Sequence, residues 1–515
     1  MKKLHIFIVT GILMGISLFC FAGVNETLPT HHWAYNYIEA LQVRGYLLEL
    51  NTLQLPYTRG EIARQLVKEE SGKENWSLFV KEIFHELLAE FSQEINVLNN
   101  ENNILLRGKY EGFIDNTQGD KQAYRGIYRI GAGFNVGERI FIYSSANFDQ
   151  YDYNDPDYMG YKWRGISAYM EQAYVQYRCK NFNVKFGRDF LKWGVGQSGT
   201  LVFSNNSRPL DQLYAEIRLG HLTFSYVIAE LDPMKVKDKS NSYFTANRFL
   251  SGHRAVISLF ANKLQAGVSE IVIYGGENKF FNMVYINPVM FYHGTKKNGA
   301  GDNNVLPTID VLFYPVSRVQ IYSSILIDDI QVEKTCPGDL EPNEIAWLAG
   351  GNWADPFGFG GVTLNAEYVR VANRTYKTPN PWETFIFRND PLGHPLGNDF
   401  DRIELSALKM FGPLWITAGY SYTRKGEGSI YTPFDTPWFD YTVEQGYSEP
   451  FPTGVVEKRS DVSFKIQYLS NVHWGFNGEI HFLNKNNAGH VQGTAENDVL
   501  WKVGVWWDGS ALFEF

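Results

Sequence analysis

The sequence predicts a mainly β protein: a transmembrane antiparallel β-barrel of about 18 strands with a small N-terminal periplasmic helical domain. Three observations predict it. An apolar leader opens the chain, apolar residues recur at every second position from Asn103 onward, and very short turns alternate with long polar loops.

The leader comes first. Lys2 and Lys3 precede an apolar run over residues 4–21, and Cys20-Phe21-Ala22 offers a small-x-small cleavage site, so residues 1–22 read as a signal peptide. Cys20 raises the alternative of a lipid anchor, although the bulky Phe19 stands where lipoprotein processing wants a small residue. No other uninterrupted run of about 18 apolar residues follows, so no transmembrane helix is expected. The net charge of −9 and mean hydropathy of −0.26 resemble a soluble protein. They suit a barrel equally, because only alternate residues of each strand face lipid. An acidic balance without a basic cluster argues against a nucleic-acid partner.

Residues 23–100 read as helices. Thr30 is placed to cap a first helix carrying Trp33, Tyr37 and Leu41 on one face and stopping at Gly45. Thr58-Arg59-Gly60-Glu61 is a capping box opening a second helix through Leu66. A third carries Trp76, Val80, Ile83, Leu87, Phe91 and Ile95. The stretch from His32-Trp33-Ala34-Tyr35 to Thr58-Arg59-Gly60-Glu61 resembles a surface-layer-homology repeat, with Gly60 where that family has Ala. The resemblance implies a peptidoglycan-linked polymer as a partner, held by Trp33, Thr58, Arg59 and Glu61. The alternative is a helical cap packed under the barrel through Trp33 and Tyr37.

Residues 101–515 carry the strands. In 461–468, Val462, Phe464, Ile466 and Tyr468 alternate with Asp461, Ser463, Lys465 and Gln467; 319–327, 414–422 and 472–482 behave alike. Short turns fall at 136–138, 179–181, 219–221, 261–263, 411–413 and 470–471. Long loops are expected near 152–166, 189–210, 231–251, 276–303, 331–343, 372–400, 425–458 and 485–497. An even count returns both termini to the periplasm, and the alternation before the terminal Phe515 resembles the signal read by the barrel-insertion machinery. Cys179 then lies at the short-turn end and Cys336 at the long-loop end of a barrel about 25 Å or more tall, beyond disulfide reach, so two free thiols are expected.

Gly-x-Ser-x-Gly, His-Glu-x-x-His and P-loop patterns are absent, and no cofactor or metal is predicted. The segment 187–209 places glycines around Trp193, followed by Asn205, Asn206, Ser207 and Arg208; it suits sugar hydroxyls or a loop folded back into the lumen. Its pattern, Gly187-Arg188 with Trp193-Gly194-Val195-Gly196, Gly199 and Ser204-Asn205, resembles the signature of the capsule assembly Wzi family. Val195 departs from that family's Pro and Ser207 from its Ala. Further matches are 286–292, Asp302-Asn303-Asn304, Ile327-Asp328-Asp329 and Pro391-Leu392-Gly393-His394, so the resemblance covers most of residues 104–515. It implies an occluded, lectin-like outer-membrane barrel that attaches capsular or other surface polysaccharide. Candidate binding residues are Arg188, Trp193, Asn205, Arg208, Asp328, Asp329, His394 and Trp438, with Asp328 and Asp329 equally readable as lumenal structure.

The loop at 425–458 is rich in aromatic residues, including Tyr431, Phe434, Trp438, Phe439 and Tyr441, with Asp435 and Asp440 among them. Ring faces stack on sugars, while an interfacial aromatic girdle accounts for the same composition. The loop at 149–163 holds Asp149, Asp152, Asp155 and Asp157, which read as a solvated acidic surface before a calcium site. Outer-membrane lipid and lipopolysaccharide are expected partners of any such barrel. A solute porin tethered to the cell wall by the helical segment is the competing reading.

Overall fold

The computed structural model describes residues 24–70, 72, 76–96, 103–117, 123–136, 139–150, 153, 158–237, 241–298, 303–471 and 473–514. The leader, the turn at 137–138, Asp152, Asp155 and Asp157 of the acidic loop, Asp302 and Phe515 lie outside the described residues.

Alternating sequence becomes a closed wall of 18 strands. They are β1 (Asn103–Asp115), β2 (Ala123–Val136), β3 (Ile140–Asp149), β4 (Ile166–Cys179), β5 (Phe182–Asp189) and β6 (Leu210–Leu219). Next come β7 (Leu222–Lys237), β8 (Tyr243–Leu259), β9 (Leu264–Glu277), β10 (Asn304–Val316), β11 (Val319–Asp329) and β12 (Glu344–Ala354). The wall ends with β13 (Val362–Val371), β14 (Phe400–Phe411), β15 (Leu414–Lys425), β16 (Glu457–Asn471), β17 (Trp474–Asn486) and β18 (Ala495–Glu514). Each strand pairs antiparallel with its neighbour, and β1 closes on β18 from Asn103 opposite Glu514 to Asp115 opposite Lys502. Among the described residues, closure leaves no unpaired edge strand, which a lipid environment requires. On β16, Val462, Phe464, Ile466 and Tyr468 are 39–48% exposed on the outer wall while Asp461 is buried inside. Such a band of exposed apolar side chains is what lipid covers.

The expected loop at 231–251 is corrected. β7 and β8 continue to Lys237 and from Tyr243, leaving only a short connection. Asp232-Pro233 punctuates the sequence like a loop. The strand absorbs it in a bulge, because the register shifts between Leu231 and Met234 where Pro233 owes no ladder hydrogen bond.

Four helices sit at the short-turn end: α1 (Ala34–Val43), α2 (Arg59–Glu70), α3 (Leu78–Glu90) and α4 (Ser92–Asn96). Thr30 does not cap α1; the helix starts later, and the His32 imidazole Nδ1 accepts from the Ala34 amide instead. Gly45 ends it at φ +94°, as a left-handed stop requires. The capping box forms: the Thr58 amide donates to Glu61 at 2.9 Å and the Glu61 amide to Thr58 Oγ1 at 3.2 Å. The expected third helix divides at Phe91 into α3 and α4, keeping its apolar stripe inward.

These helices are clamped to the barrel. Arg44 makes a bidentate bridge to Asp355 in a short turn, at 3.0 and 2.8 Å. Arg107 of β1 grips Glu26 through two 2.6 Å bonds, and Tyr37 packs on Trp415 of β15 at 4.3 Å between ring centroids. The chain then threads inward. Gln54 and Leu55 pair with Trp193 and Lys192, and Leu53 joins the lumenal core.

Candidate functional site

That core is a plug built from two long loops. Residues 190–209 bring in Trp193, Val195, Leu201, Val202 and Phe203; residues 372–399 bring in Tyr376, Phe385, Ile386, Phe387 and Leu392. Gly199 adopts φ +147°, and a Cβ there would run into Pro395, so glycine is what allows the two loops to touch. Tyr376 donates its hydroxyl to the Leu201 carbonyl at 2.8 Å, joining the loops by hydrogen bond as well.

The sequence-predicted residues are now placed. Trp193 is fully buried against Phe203, which leaves no face for a sugar ring. Asp328 is also buried, and its carboxylate accepts the Tyr376 amide at 2.6 Å. Asp329 accepts from Ile330 N at 2.9 Å at the end of β11. Asn205 is exposed and donates to the Thr30 carbonyl at 3.5 Å. His394 is buried; its Nδ1 accepts the Leu396 amide at 3.2 Å, which assigns the proton to Nε2, 3.2 Å from Ser198 Oγ. Ser198 donates in turn to Glu367. Histidine, serine and carboxylate thus meet, but in an order that pins the serine hydroxyl on the carboxylate and uses both imidazole nitrogens. A nucleophilic triad needs the imidazole free to take the serine proton. Burial, helped by Arg402 and Lys425, brings the His394 imidazole down to about 3.

Trp438 is buried too, inside the 426–456 loop. Arg374 lies beneath it, its guanidinium 4.8 Å from the ring and bridged to Asp435 at 2.8 Å and Glu449 at 2.5 Å. The loop's outer surface is different. Tyr431, Phe439 and Tyr441 are 57%, 60% and 42% exposed. Tyr431 donates to the Asn389 carbonyl at 2.5 Å, joining this platform to the 372–399 loop.

Arg188 and Arg208 converge at the rim with Arg388, which the sequence reading missed. Together with Tyr158, Tyr169 and Met170 they line a cavity of about 190 Å³. Arg388 stands at the tip of a small hairpin in which Ile386 and Phe387 pair with Pro391 and Asp390. Arg388 and Asn389 take φ +51° and +66° there. The available signal was the turn Arg388-Asn389, unreadable as a site until the hairpin's direction was known.

At the opposite end, Thr58 and Arg59 are buried. Arg59 bridges Glu90 at 2.6 Å and also pairs with Glu94. Glu61 is held by Arg178 and Arg218, each at 2.6 Å; although burial pushes its carboxyl up, those two cations keep it well below the usual carboxylate range. Trp33 is half-buried on Tyr37. Cys179, the last residue of β4, and Cys336, in the loop after β11, are both free and lie at opposite ends of the barrel.

A closed 18-stranded barrel with an outward apolar band and two loops packed inside it has the build of an outer-membrane barrel. Residues 115–498 match the family described as capsule assembly protein Wzi, and the chain belongs to that family. Among solved structures it resembles Wzi of Escherichia coli, described as an outer-membrane protein involved in group 1 capsule assembly and a carbohydrate-binding β-barrel. That likeness has a TM-score of 0.62 at 15% identity and covers 93% of this chain and 98% of that one. OccD3 (OpdP) of Pseudomonas aeruginosa is more distant, with a TM-score of 0.45 at 9% identity over 79% of this chain and 91% of that one, and carries no functional argument. No curated protein matches the sequence.

Proposed function

We propose that this protein is a non-enzymatic outer-membrane barrel that binds and retains capsule-type surface polysaccharide at its long-loop end. Residues 1–22 direct export, and the short-turn end with both mature termini faces the periplasm. One observation carries the reading: two loops pack an apolar core inside the barrel, while Tyr431, Phe439 and Tyr441 stand exposed on a loop braced from below. A barrel filled by its own loops and topped by an aromatic platform suits holding a polymer rather than passing a solute. Ring faces stack on sugar C–H faces, and Asp435 and Asp440 accept from hydroxyls. The helical segment braces the barrel from the periplasm. Thr58, Arg59 and Glu61 are engaged there with internal partners, and the role of Trp33 is packing.

The test is binding of purified capsular polysaccharide to refolded protein, by surface plasmon resonance, for wild type and a Tyr431→Ala, Phe439→Ala, Tyr441→Ala triple variant. At least tenfold weaker binding by the variant is expected. Equal binding, or large stable single-channel openings of the wild type in a planar bilayer, would overturn the reading.

A further inference from the structure

Among the described residues, the rim cavity gathers three guanidiniums and only one of them, Arg188, is held in an ion pair, with Asp211. Arg208 lies between two rings, its guanidinium 4.2 Å from Tyr158 and 4.6 Å from Tyr169. Among the described residues it donates to the Met159 carbonyl at 3.4 Å, and the Arg388 side chain reaches the same carbonyl at the same distance. Among the described residues, two guanidiniums offering ten N–H donors thus make one long bond each, both to the same acceptor. Arg188 supplies the third guanidinium, paired with Asp211 and donating to Met170 O at 3.0 Å. Asp232 accepts the Arg388 backbone amide at 2.8 Å. Burial, with Arg208 and Arg188 nearby, pulls the Arg388 guanidinium below its ordinary range, and Asp232 and Asp211 offset only part of that. Like charges brought together around open donors define an anion site.

The wall tells which anion. Arg188 pairs across the ladder with Asp211, and two residues below on the same face Phe186 opposes Leu213. Phe186 and Leu213 are 69% and 39% exposed on the lipid side, and Met170, which lines the cavity, is 41% exposed. The arginines therefore stand directly above the apolar band, where an amphiphile's head emerges from its acyl chains. We infer that this cavity docks the phosphorylated sugar headgroup of an outer-leaflet glycolipid. Arg208 and Arg388 clasp the phosphate, Arg188 adds charge from the lipid-facing wall, and Tyr158 and Tyr169 hold Arg208 in place.

The probe is bis-phosphorylated lipid A, titrated against protein in nanodiscs of neutral phospholipid and read by native mass spectrometry. Dephosphorylated lipid A is the matched control, and heat-dependent electrophoretic mobility verifies a folded barrel. Wild type should prefer the phosphorylated form by at least tenfold. The Arg208→Gln/Arg388→Gln variant should bind it about a hundredfold more weakly and lose the preference, at about tenfold per guanidinium. Arg208→Lys/Arg388→Lys should recover part of it. Equal binding of both lipids by wild type, or an unchanged preference in the Gln variant, overturns the inference. So does a Gln variant that loses acidic polysaccharide but keeps lipid A, which would give the cavity to the polymer. Failure of the aromatic platform in the polysaccharide assay leaves this result intact, so the two readings fail separately.

Discussion

Replacing Arg374 by Met keeps the length of the side chain and removes the charge that holds the mouth loop. The side chain is 2% exposed; its partner Asp435 is 66% exposed and Glu449 13%. The exposed Asp435 bridge is worth at most about 1 kcal/mol. Glu449 is the costly one, since stripping a buried charge of its partner costs about 3–5 kcal/mol. Water reaching Glu449 as the loop lifts places the sum near the lower end, about 4 kcal/mol including the lost contact with Trp438. That cost belongs to the loop, because none of these groups bonds to the barrel ladder. A local opening constant should therefore rise about a thousandfold, seen as faster amide exchange across 430–450 by hydrogen–deuterium exchange mass spectrometry. Polysaccharide affinity should fall with it, while heat-dependent electrophoretic mobility stays that of a folded barrel. Acceleration below about tenfold in 430–450, or loss of the folded barrel, would refute the assignment of Arg374 as a brace of the platform alone.

Three further outcomes follow from the plug and the turns. His394 is buried neutral, with its value lowered from the ordinary 6.5 to about 3. The unfolded loop therefore binds the extra proton first. Stability is complete above pH 6.5 and falls by about 1.4 kcal/mol per unit as the pH drops from there toward 3. Exchange of 385–396, corrected for intrinsic rates, should accelerate between pH 7.5 and 5; a His394→Gln variant with the same pH response would count against this. Gly199→Ala should drive the 190–209 and 372–399 loops apart and produce flickering bilayer conductance absent from wild type; a silent variant would remove the steric argument. Finally, a membrane-impermeant maleimide should label Cys336 on intact cells and leave Cys179 unlabelled, and the reverse pattern would invert the assigned sidedness.

Much of the wall was legible in the sequence because its rule is local. Side chains alternate at every second residue whatever the strand pairs with, so β1 begins at Asn103 and β16 shows its lipid face as read. The capping box at Thr58 and Glu61 was equally local. Asp232-Pro233 misled because a bulge and a loop share the same punctuation, and only the register of the partner strand separates them. The candidate residues divide along the same line. Composition brought Trp193 and Trp438 forward and the family resemblance Asp328 and His394, yet each is buried, since aromatic and polar groups that suit a sugar also suit a plug. Arg388 could not be seen at all, because it joins Arg188 and Arg208 only after a hairpin some 180 residues away in sequence folds back over the rim. The sequence by itself determined a barrel, its sidedness in turns and loops, and the family motif. The tertiary structure alone decided which loops fill the lumen and which side chains remain at the surface, because burial and charge convergence depend on contacts between segments distant along the chain.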